Sequence, residues 1–470
     1  MTNTKNNLKI LLKMAAPIIL AQLFQIAYQF TDAFWVGRLG EKAVASIAMS
    51  MPILFFMTSL GIGLAIAGST LTAQYFGAKN EEMLSRSAAQ TMLMVVIVSL
   101  LFSLIGFFST SAILQLIKTP AEIMTDASAY LRISFFGLIF NFCFFIFQSI
   151  MRSIGRPQVP VYVVIGTVIL NFLLDPLFML GFGPIPAMGV AGVALATVGT
   201  QSIAALIGLS LLFGGKHGIH LHFRDFRPDY KFIKRAFFLG LPASIEQSAR
   251  SLSLTIITAL VAGFGTLAVA AYGVGSNILQ LMLMISFGLA GANAALVGQR
   301  LGASEPAKAK QMAFLSAKIA VILFSFIGLI SFIFAPALIS FFVPNDTAVI
   351  IAGTRYLRFI SPIFGLIGLQ IIVGSTLQAS GNTKRAMTLT LISQWIVQIP
   401  LTYLLSRFDQ LGIDGLWIAF PITNILMALI YFINFKKSGW ENKKLISKED
   451  QLKEKTRQEA EIETAIPLES

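Results

Sequence analysis

The sequence is poor in charged residues and almost free of cysteine. Asp, Glu, Lys and Arg make up 12% of its 470 residues, whereas soluble domains carry about 25%. A single cysteine, Cys143, excludes an internal disulfide framework. The shortage of charge excludes an ordinary soluble domain. Because 56% of the residues are hydrophobic, the composition predicts an all-α polytopic membrane protein.

Acidic residues are scarcer than basic ones, and the formal net charge is +13. In a soluble protein this excess would suggest a nucleic-acid partner. In so apolar a chain it indicates loops that face anionic lipid, so we expect a lipid bilayer around the protein and no nucleic acid. All three histidines lie within residues 214–235. His220 and His222 have no cysteine or acidic cluster beside them, which favours a solvated linker over a metal site.

Twelve apolar segments of spanning length follow one another along the chain. The first is too long for a signal-peptide core and lacks a small-residue cleavage site, so no cleavable signal peptide is expected. Basic residues concentrate in alternate loops, which places both termini in the cytoplasm of a multi-pass plasma-membrane protein. The predicted spans are 10–33, 43–73, 87–109, 128–150, 159–180, 189–213, 236–261, 267–298, 312–341, 354–376, 386–405 and 413–434.

The two halves of the chain repeat at a fixed offset of 225 positions, at which Pro17 meets Pro242 and Gln22 meets Gln247. Six spans per half, each half starting on the same side, predict parallel repeats related by a pseudo-twofold axis along the membrane normal. We therefore expect a first lobe at 1–213, a cytoplasmic linker at 214–235 and a second lobe at 236–435. The charged tail, 436–470, is expected to be a mobile or loosely helical cytoplasmic end.

This repeat favours a transporter over a channel. Transporters built from such repeats bind cargo and coupling ions near the bilayer midplane, and one half moves against the other. A channel needs a selectivity filter or a ring of charges around a pore, and the sequence shows neither.

An ionisable residue, Asp32, lies inside the first span, and a carboxylate at membrane depth indicates a functional site. Gln22, Gln25, Gln29 and Asp32 follow at spacings of 3, 4 and 3, so they share one helix face. An aspartate that only reached the headgroups would not need glutamines deeper in the span. Tyr28, four residues before Asp32, can approach the same carboxylate.

A second carboxylate, Asp175, lies in the fifth span with Asn171 four residues before it on the same face. Together with Asp32, the Tyr28 hydroxyl and Thr197 or Thr200, these side chains would form an oxygen-rich cage. Such a cage suits a small hard cation or one shared proton. The alternative is that the same polar groups only form hydrogen bonds between helices.

The second half lacks an equivalent of this site, because the repeat aligns Ile257 with Asp32. Glu246 and Arg250 lie four residues apart, which favours a neutralising ion pair within one helix over a direct ligand role. Other polar residues at depth form interhelical hydrogen bonds or line a cavity. The residues that we expect around a substrate cavity are Gln25, Gln29, Glu246, Arg250, Asn277, Gln280 and Gln370.

Several motifs resemble the multidrug and toxic compound extrusion (MATE) family over residues from about 10 to 435. They are TDAFWVGRLG, AQYFGAKN, RSIGRPQVP, NFLLDP and GVAGVALATV in the first half and GQRLGA and GNTK in the second. The resemblance implies twelve helices in two six-helix lobes around a V-shaped cavity. It also implies export of cationic, amphiphilic drugs against an inward flow of sodium ions or protons.

The distribution of acids resembles the DinF-like branch of that family, since span ten carries Gln370 and no acid. In that branch first-lobe aspartates carry the coupling ion, which maps onto Asp32 and Asp175. Glu246 lies too soon after Pro242 to match the second-lobe glutamate of the NorM-like branch, so that role is not transferred. The accessory positions of the branch match Tyr28, Asn171 and Thr197.

A rival function in the same superfamily is a flippase for lipid-linked saccharides. Flippases of that class line their cavity with several arginines and often have more than twelve spans, whereas only Arg250 is expected to line the cavity here. A cation-coupled antiporter for small organic cations is therefore favoured. We expect no enzymatic activity, no cofactor besides H+ or Na+ as coupling ion, and a monomer.

Overall fold

The computed structural model describes residues 2–408, 410–437, 439–443 and 445–446, and the protein it describes is helical. Within these residues the one extended pairing is an isolated bridge between Phe182 and Ile185. The predicted all-α fold class is confirmed. The helices are Thr2–Gly37 (α1), Glu41–Gly77 (α2), Glu81–Leu116 (α3), Met124–Ser153 (α4), Gln158–Leu180 (α5), Gly189–Phe213 (α6), Tyr230–Ala262 (α7), Thr266–Gly302 (α8), Pro306–Ile333 (α9), Ala335–Phe342 (α10), Thr347–Ile360 (α11), Phe364–Ala379 (α12), Thr383–Leu391 (α13), Ile399–Ser406 (α14) and Ile413–Lys437 (α15).

Eleven helical segments in the described residues are long and apolar enough to cross a membrane, and they coincide with eleven of the twelve predicted spans. The remaining predicted span is α7, which falls outside that set because it carries Glu246, Arg250 and several serines. Its 33 residues rise about 50 Å, more than the thickness of a hydrocarbon core. Since α7 packs along α2 in the bundle, it completes the twelve-helix fold.

Three of the predicted spans are interrupted in the structure. The ninth, predicted at 312–341, ends at Ile333, because Pro336 opens the separate short helix α10. The tenth consists of α11 and α12, joined by a 3-10 turn at Ser361–Ile363. The eleventh consists of α13 and α14 on either side of a π-helical segment, Ile392–Gln398, a feature that often marks functional sites.

The two lobes approach each other at positions that the repeat relates. A Cβ on Gly63 of α2 would meet the backbone of Ser244 on α7, and one on Gly288 of α8 would meet the backbone of Ile19 on α1. Gly288 is the repeat partner of Gly63, and Ser244 is the repeat partner of Ile19, so the repeat relates the two crossings. Glycine is required at these two crossings because the helix backbones themselves are in contact.

The first helix of each half also extends into the core of the other half. Leu11 and Met14 of α1 pack in the hydrophobic cluster formed by α8, α9 and α12. Their repeat partners, Ala236 and Leu239 of α7, pack in the cluster formed by α2, α3 and α4. Because α1 and α7 each contact both lobes, a movement of one lobe against the other must displace them.

The first residues of the expected tail, after Phe435, pack against the helices of the bundle. Trp440 is fully buried, stacks on Phe435 with ring centroids 5.7 Å apart, and donates from Nε1 to the Phe435 carbonyl. Further on, the Leu445 backbone N–H donates to Gln74 Oε1 of α2 over 3.0 Å, and Ile446 lies in the first-lobe core. Apolar side chains between the charges explain this packing. Residues 447–470 of the predicted tail lie outside the described residues.

Candidate functional site

A chain of hydroxyl contacts joins α1 to α6 near one end of the bundle. The Tyr28 hydroxyl lies 2.6 Å from Thr200 Oγ1, and Thr197 Oγ1 lies 3.4 Å from Asp32 Oδ2. Tyr28 and Asp32 are four residues apart on α1, and the two threonines are three apart on α6, so each pair shares a helix face. Both threonines considered from the sequence therefore reach the site.

The second carboxylate lies in the adjoining interior. Asp175 and Asn171 of α5 are fully buried, and Asn171 Nδ2 donates to Asp175 Oδ1 over 3.1 Å. The carboxyl groups of Asp32 and Asp175 are close enough to interact directly. The rings of Trp35 and Phe172, 5.9 Å apart, pack α1 against α5 beside them. The structure thus brings together all five residues of the predicted coupling site.

Within the part of the chain that the structure describes, three oxygen atoms of this site have no hydrogen-bond partner. They are Asp32 Oδ1, Asp175 Oδ2 and Asn171 Oδ1, and all are buried. A buried oxygen without a donor costs about 1–3 kcal/mol, and more when it is charged. A proton shared by the carboxylates, or a small hard cation between the three oxygens, would satisfy them. The described residues contain no cluster of three or more His, Cys, Asp or Glu suited to a metal ion, so a cation would also need the amide oxygen.

A cavity of about 660 Å³ opens beside this site between α1, α2, α4 and α6. Asp32, Tyr28 and Thr197 line it, as do the predicted stripe residues Gln25 and Gln29. Most of the remaining wall is aliphatic or aromatic, as in sites that bind drug-sized molecules. Asp175 and Asn171, the fully buried pair on α5, do not line the cavity. Asp32 therefore lies between the cavity and the buried oxygens of that pair.

The expectation that Arg250 is the only arginine at the cavity is wrong. Arg250 does not line it, whereas Arg152 does. From the sequence, Arg152 belongs to the basic residues that mark a cytoplasmic loop, but in the structure it is still within α4, which ends at Ser153. No sequence pattern pointed to the other polar cavity residues of α4 and α6 either. They are Tyr130, Ser134, Asn141, Gln148, Ser149 and Gln201.

In the second lobe, Glu246 forms the predicted ion pair. Its Oε1 lies 3.1 Å from Arg250 Nη2 and also accepts from Thr390 Oγ1 over 3.0 Å, and its Oε2 accepts from Gln378 Nε2 over 3.0 Å. Thr390 in turn lies 3.2 Å from the Tyr431 hydroxyl. Both oxygens of the carboxylate are therefore satisfied by the protein, in contrast to those of the first-lobe pair.

The other predicted cavity residues of the second half are dispersed. Asn277 and Gln280 are exposed on α8. Gln370 Nε2 donates to Asn424 Oδ1 over 3.0 Å and joins α12 to α15, which is the interhelical hydrogen bond considered from the sequence. None of the three lines the cavity described above, and a role in a cargo path stays a prediction for them.

Comparison with known families gives two matches in this chain to one family model, described as MatE. The matches cover residues 17–177 and 242–404. They begin 225 residues apart, which is the interval of the sequence repeat.

Curated relatives match nearly end to end. A Bacillus subtilis protein named probable multidrug resistance protein YoeA is 28% identical over 91% of this chain and 93% of its own length. A Shewanella oneidensis protein named FAD transporter is 25% identical over 90% of this chain and 92% of its own length.

Solved structures share the fold. A crystal structure described as MATE in complex with MaL6 superposes with a TM-score of 0.86 at 22% identity, covering 92% of this chain and 97% of the other. A mutant of the Vibrio cholerae MATE transporter VcmN gives a TM-score of 0.87 at 22% identity, covering 93% and 98%. At this identity the likeness establishes the twelve-helix, two-lobe architecture.

Proposed function

Because the chain belongs to the MatE family, a family of multidrug efflux transporters, we propose that it is a cation-coupled antiporter that exports cationic and amphiphilic organic compounds. As a member it is a multi-pass membrane transporter of small organic substrates and not an enzyme, and it needs no cofactor. The coupling to H+ or Na+ and the cationic nature of the cargo are the proposed parts.

The observation that carries the proposal is the pair of interacting carboxylates with orphaned oxygens. Asp32 and Asp175 lie together where water is scarce, and two like charges in such a place repel strongly. A proton or Na+ between them removes that repulsion and satisfies the unpaired oxygens. Since Asp32 also lines the cavity, filling the site lowers the attraction that a cationic cargo experiences there.

Binding of the ion shifts the transporter between states only if it favours one arrangement of the lobes. The ion site joins α1 to α5 and α6, while the other end of α1 packs in the second-lobe core. An ion that fixes α1 against the first lobe therefore also restrains the contact of α1 with the second lobe. Pro17 lies within α1 between these two regions and is a place where the helix can bend.

Location and organisation follow from the same proposal. The basic loops favour both termini on the cytoplasmic side of the plasma membrane. The lobes would run over 1–213 and 236–435 with the linker 214–235 between them, and the transporter would act as a monomer. In this orientation the C-terminal ends of α2 and α8, where the two lobes meet, lie on the cytoplasmic side and close that side of the transporter.

The test is transport by purified protein in proteoliposomes with an imposed pH or sodium gradient. We expect the pH gradient or the sodium gradient to drive ethidium uptake against the ethidium concentration gradient. Dissipating the driving ion gradient should stop this uptake. The rival function, a flippase, predicts gradient-independent scrambling of a fluorescent lipid-linked saccharide and no ethidium movement. That second pattern would refute antiport.

A matched pair of variants connects this transport to the site. Asp126 is an exposed aspartate in the first turn of α4, outside the cavity lining. Asp126→Asn removes the same charge as Asp32→Asn and should leave gradient-driven uptake unchanged. Equal loss of uptake in both variants would argue against a specific site at Asp32.

A further inference from the structure

The cavity wall carries only two charged side chains, Asp32 and Arg152, among the residues that the structure describes. Asp32 belongs to the proposed ion site, whereas Arg152 has no part in it. Within the described residues no carboxylate lies at ion-pair distance from Arg152. An arginine in a membrane span is costly unless it is paired or reaches water, so one that faces a cavity without a partner marks a cargo or ion pathway.

Arg152 turns into the cavity instead of leaving through the end of α4. Its Nη2 donates to Ser149 Oγ over 2.9 Å, one turn back towards the interior of the helix. A side chain that only extended to the headgroups would point away from the span centre. The bond to Ser149 uses one of the five N–H donors of the guanidinium. The side chain lines the cavity together with Gln148 and Gln201.

Arg152 and the ion site lie at opposite ends of the cavity. Tyr130 of α4 lies close enough to Asp32 and Asp175 to experience their charges. Arg152 follows 22 residues later on the same helix, and a rise of about 1.5 Å per residue separates the two α-carbons by about 33 Å. A cargo group at Arg152 therefore cannot touch the coupling ion.

We propose that Arg152 is an anion-recognition site of the cavity, which binds a carboxylate or phosphate group of the exported compound. This inference rests on the proposed function, since it takes the cavity as the cargo path. The planar guanidinium presents parallel N–H donors that match two oxygens of one carboxylate or phosphate. The preferred cargo is thus an amphiphile with an apolar body and an anionic group, including zwitterions, and not only simple cations.

The location of Arg152 links this site to the lobe interface. Its Cδ lies 3.8 Å from the position of a Cβ on Gly291 of α8, a helix of the second lobe. An anionic group bound to the guanidinium would lie where α4 faces α8, so its affinity depends on the arrangement of the lobes. Cargo and ion then influence each other through the lobes and not by contact.

The test compares probes that differ only in the anionic group. Rhodamine B carries a free carboxylate, and its ethyl ester does not; 4-methylumbelliferyl phosphate and the methyl ether of 4-methylumbelliferone form the phosphate pair. Binding to purified full-length protein is followed by fluorescence. We expect at least one anionic probe to bind about tenfold or more tightly than its neutralised partner, as for a charge-assisted bidentate contact. Equal affinity within both pairs overturns the proposal without relying on any variant.

Variants locate the contact. Arg152→Gln should abolish the preference for the anionic probe over its partner, and Arg152→Lys should retain part of it. Arg156→Gln is the matched control, because Arg156 is exposed beyond the end of α4 and does not line the cavity. A preference that survives in Arg152→Gln also overturns the proposal. Gradient-driven uptake of ethidium, which has no anionic group, is measured in the wild-type protein and tests antiport, whereas the affinity ratio within each probe pair tests anion recognition, so failure of the one is distinguished from failure of the other.

Discussion

Gly77 of α2 lies against the backbone carbonyl of Gln299 on α8, in the space that a Cβ would occupy. The repeat-related contact, between Gly302 and the carbonyl of Gln74, is made in the same way. The pseudo-twofold axis therefore passes between the ends of α2 and α8. Gln299 Nε2 also donates to the Ser153 carbonyl over 2.7 Å, so this end of the molecule is a tight contact between the lobes.

We expect Gly77→Ala to loosen that contact. The new methyl group would overlap the Gln299 carbonyl, and overpacking of this kind costs about 1–3 kcal/mol. The expected result is a lower thermal unfolding midpoint of the purified protein and greater labelling of cysteines introduced at the ends of α2 and α8. The control is Gly166→Ala, because a Cβ there meets nothing within 4 Å. An unfolding midpoint equal to wild type in Gly77→Ala would contradict the described packing.

Asp32→Asn is expected to abolish coupled export. The variant retains the shape of the side chain and removes the charge that, with Asp175, creates the site for a cation. Cells that express it at wild-type abundance should be as sensitive to ethidium as cells without the transporter. Normal resistance in these cells would exclude Asp32 as a coupling residue.

The two lobes are expected to be functionally unequal. Glu246→Gln leaves Arg250 without its carboxylate, and this should lower stability by about 1–3 kcal/mol, since the Arg250 side chain is 28% exposed and its charge is partly screened. Asp175→Asn should affect transport more than stability, because the Asp175 Oδ2 atom has no hydrogen-bond partner to lose among the described residues. Ethidium efflux and thermal unfolding of both variants decide this. A stronger efflux defect in Glu246→Gln would argue against the first-lobe assignment.

The sequence predicted which side chains lie together at the candidate ion site, because these side chains follow helical spacing. Asp32 and Tyr28 on α1, and Asp175 and Asn171 on α5, each lie four apart, so one turn of helix places each pair together. That α1, α5 and α6 meet at these turns is not encoded in spacing. Spacing alone leaves open whether Thr197 or Thr200 takes part, and the family resemblance selects Thr197; in the structure both threonines contact α1.

The sequence predicted the cavity less completely. Arg152 was assigned to a loop because the positive-inside rule counts charges near span ends, and whether such a charge turns inward depends on neighbouring helices. The packed segment after α15 was also missed. Its burial depends on Trp440 and Ile446 finding apolar surfaces on two different lobes, which no local pattern shows.

That segment is expected to stabilise the contact between the lobes. Trp440 packs against α15, while Leu445 binds Gln74 of the first lobe and lies against Gly381 of the second. Trp440→Ala removes a fully buried ring and should lower the unfolding free energy by about 3–5 kcal/mol. Gln74→Ala removes the hydrogen bond to the Leu445 backbone N–H. It should lower the rate of ethidium efflux and reduce the unfolding free energy by less than Trp440→Ala does. Wild-type unfolding in Trp440→Ala would show that the segment is not attached in this way.

Finally, sodium ions or protons are expected to weaken the binding of a cationic drug. With the Asp32–Asp175 site empty, its negative charge attracts a cation in the cavity that Asp32 lines; with the site filled, that attraction is lost. Ethidium titrations of purified protein from about pH 5 to about pH 8, with and without Na+, measure this over the range in which buried carboxylates commonly titrate. The dissociation constant should rise at low pH or with Na+, and Asp32→Asn should remove the dependence. A wild-type affinity independent of both variables would refute the competition between ion and drug, because neither ion would then alter the charge that the drug encounters.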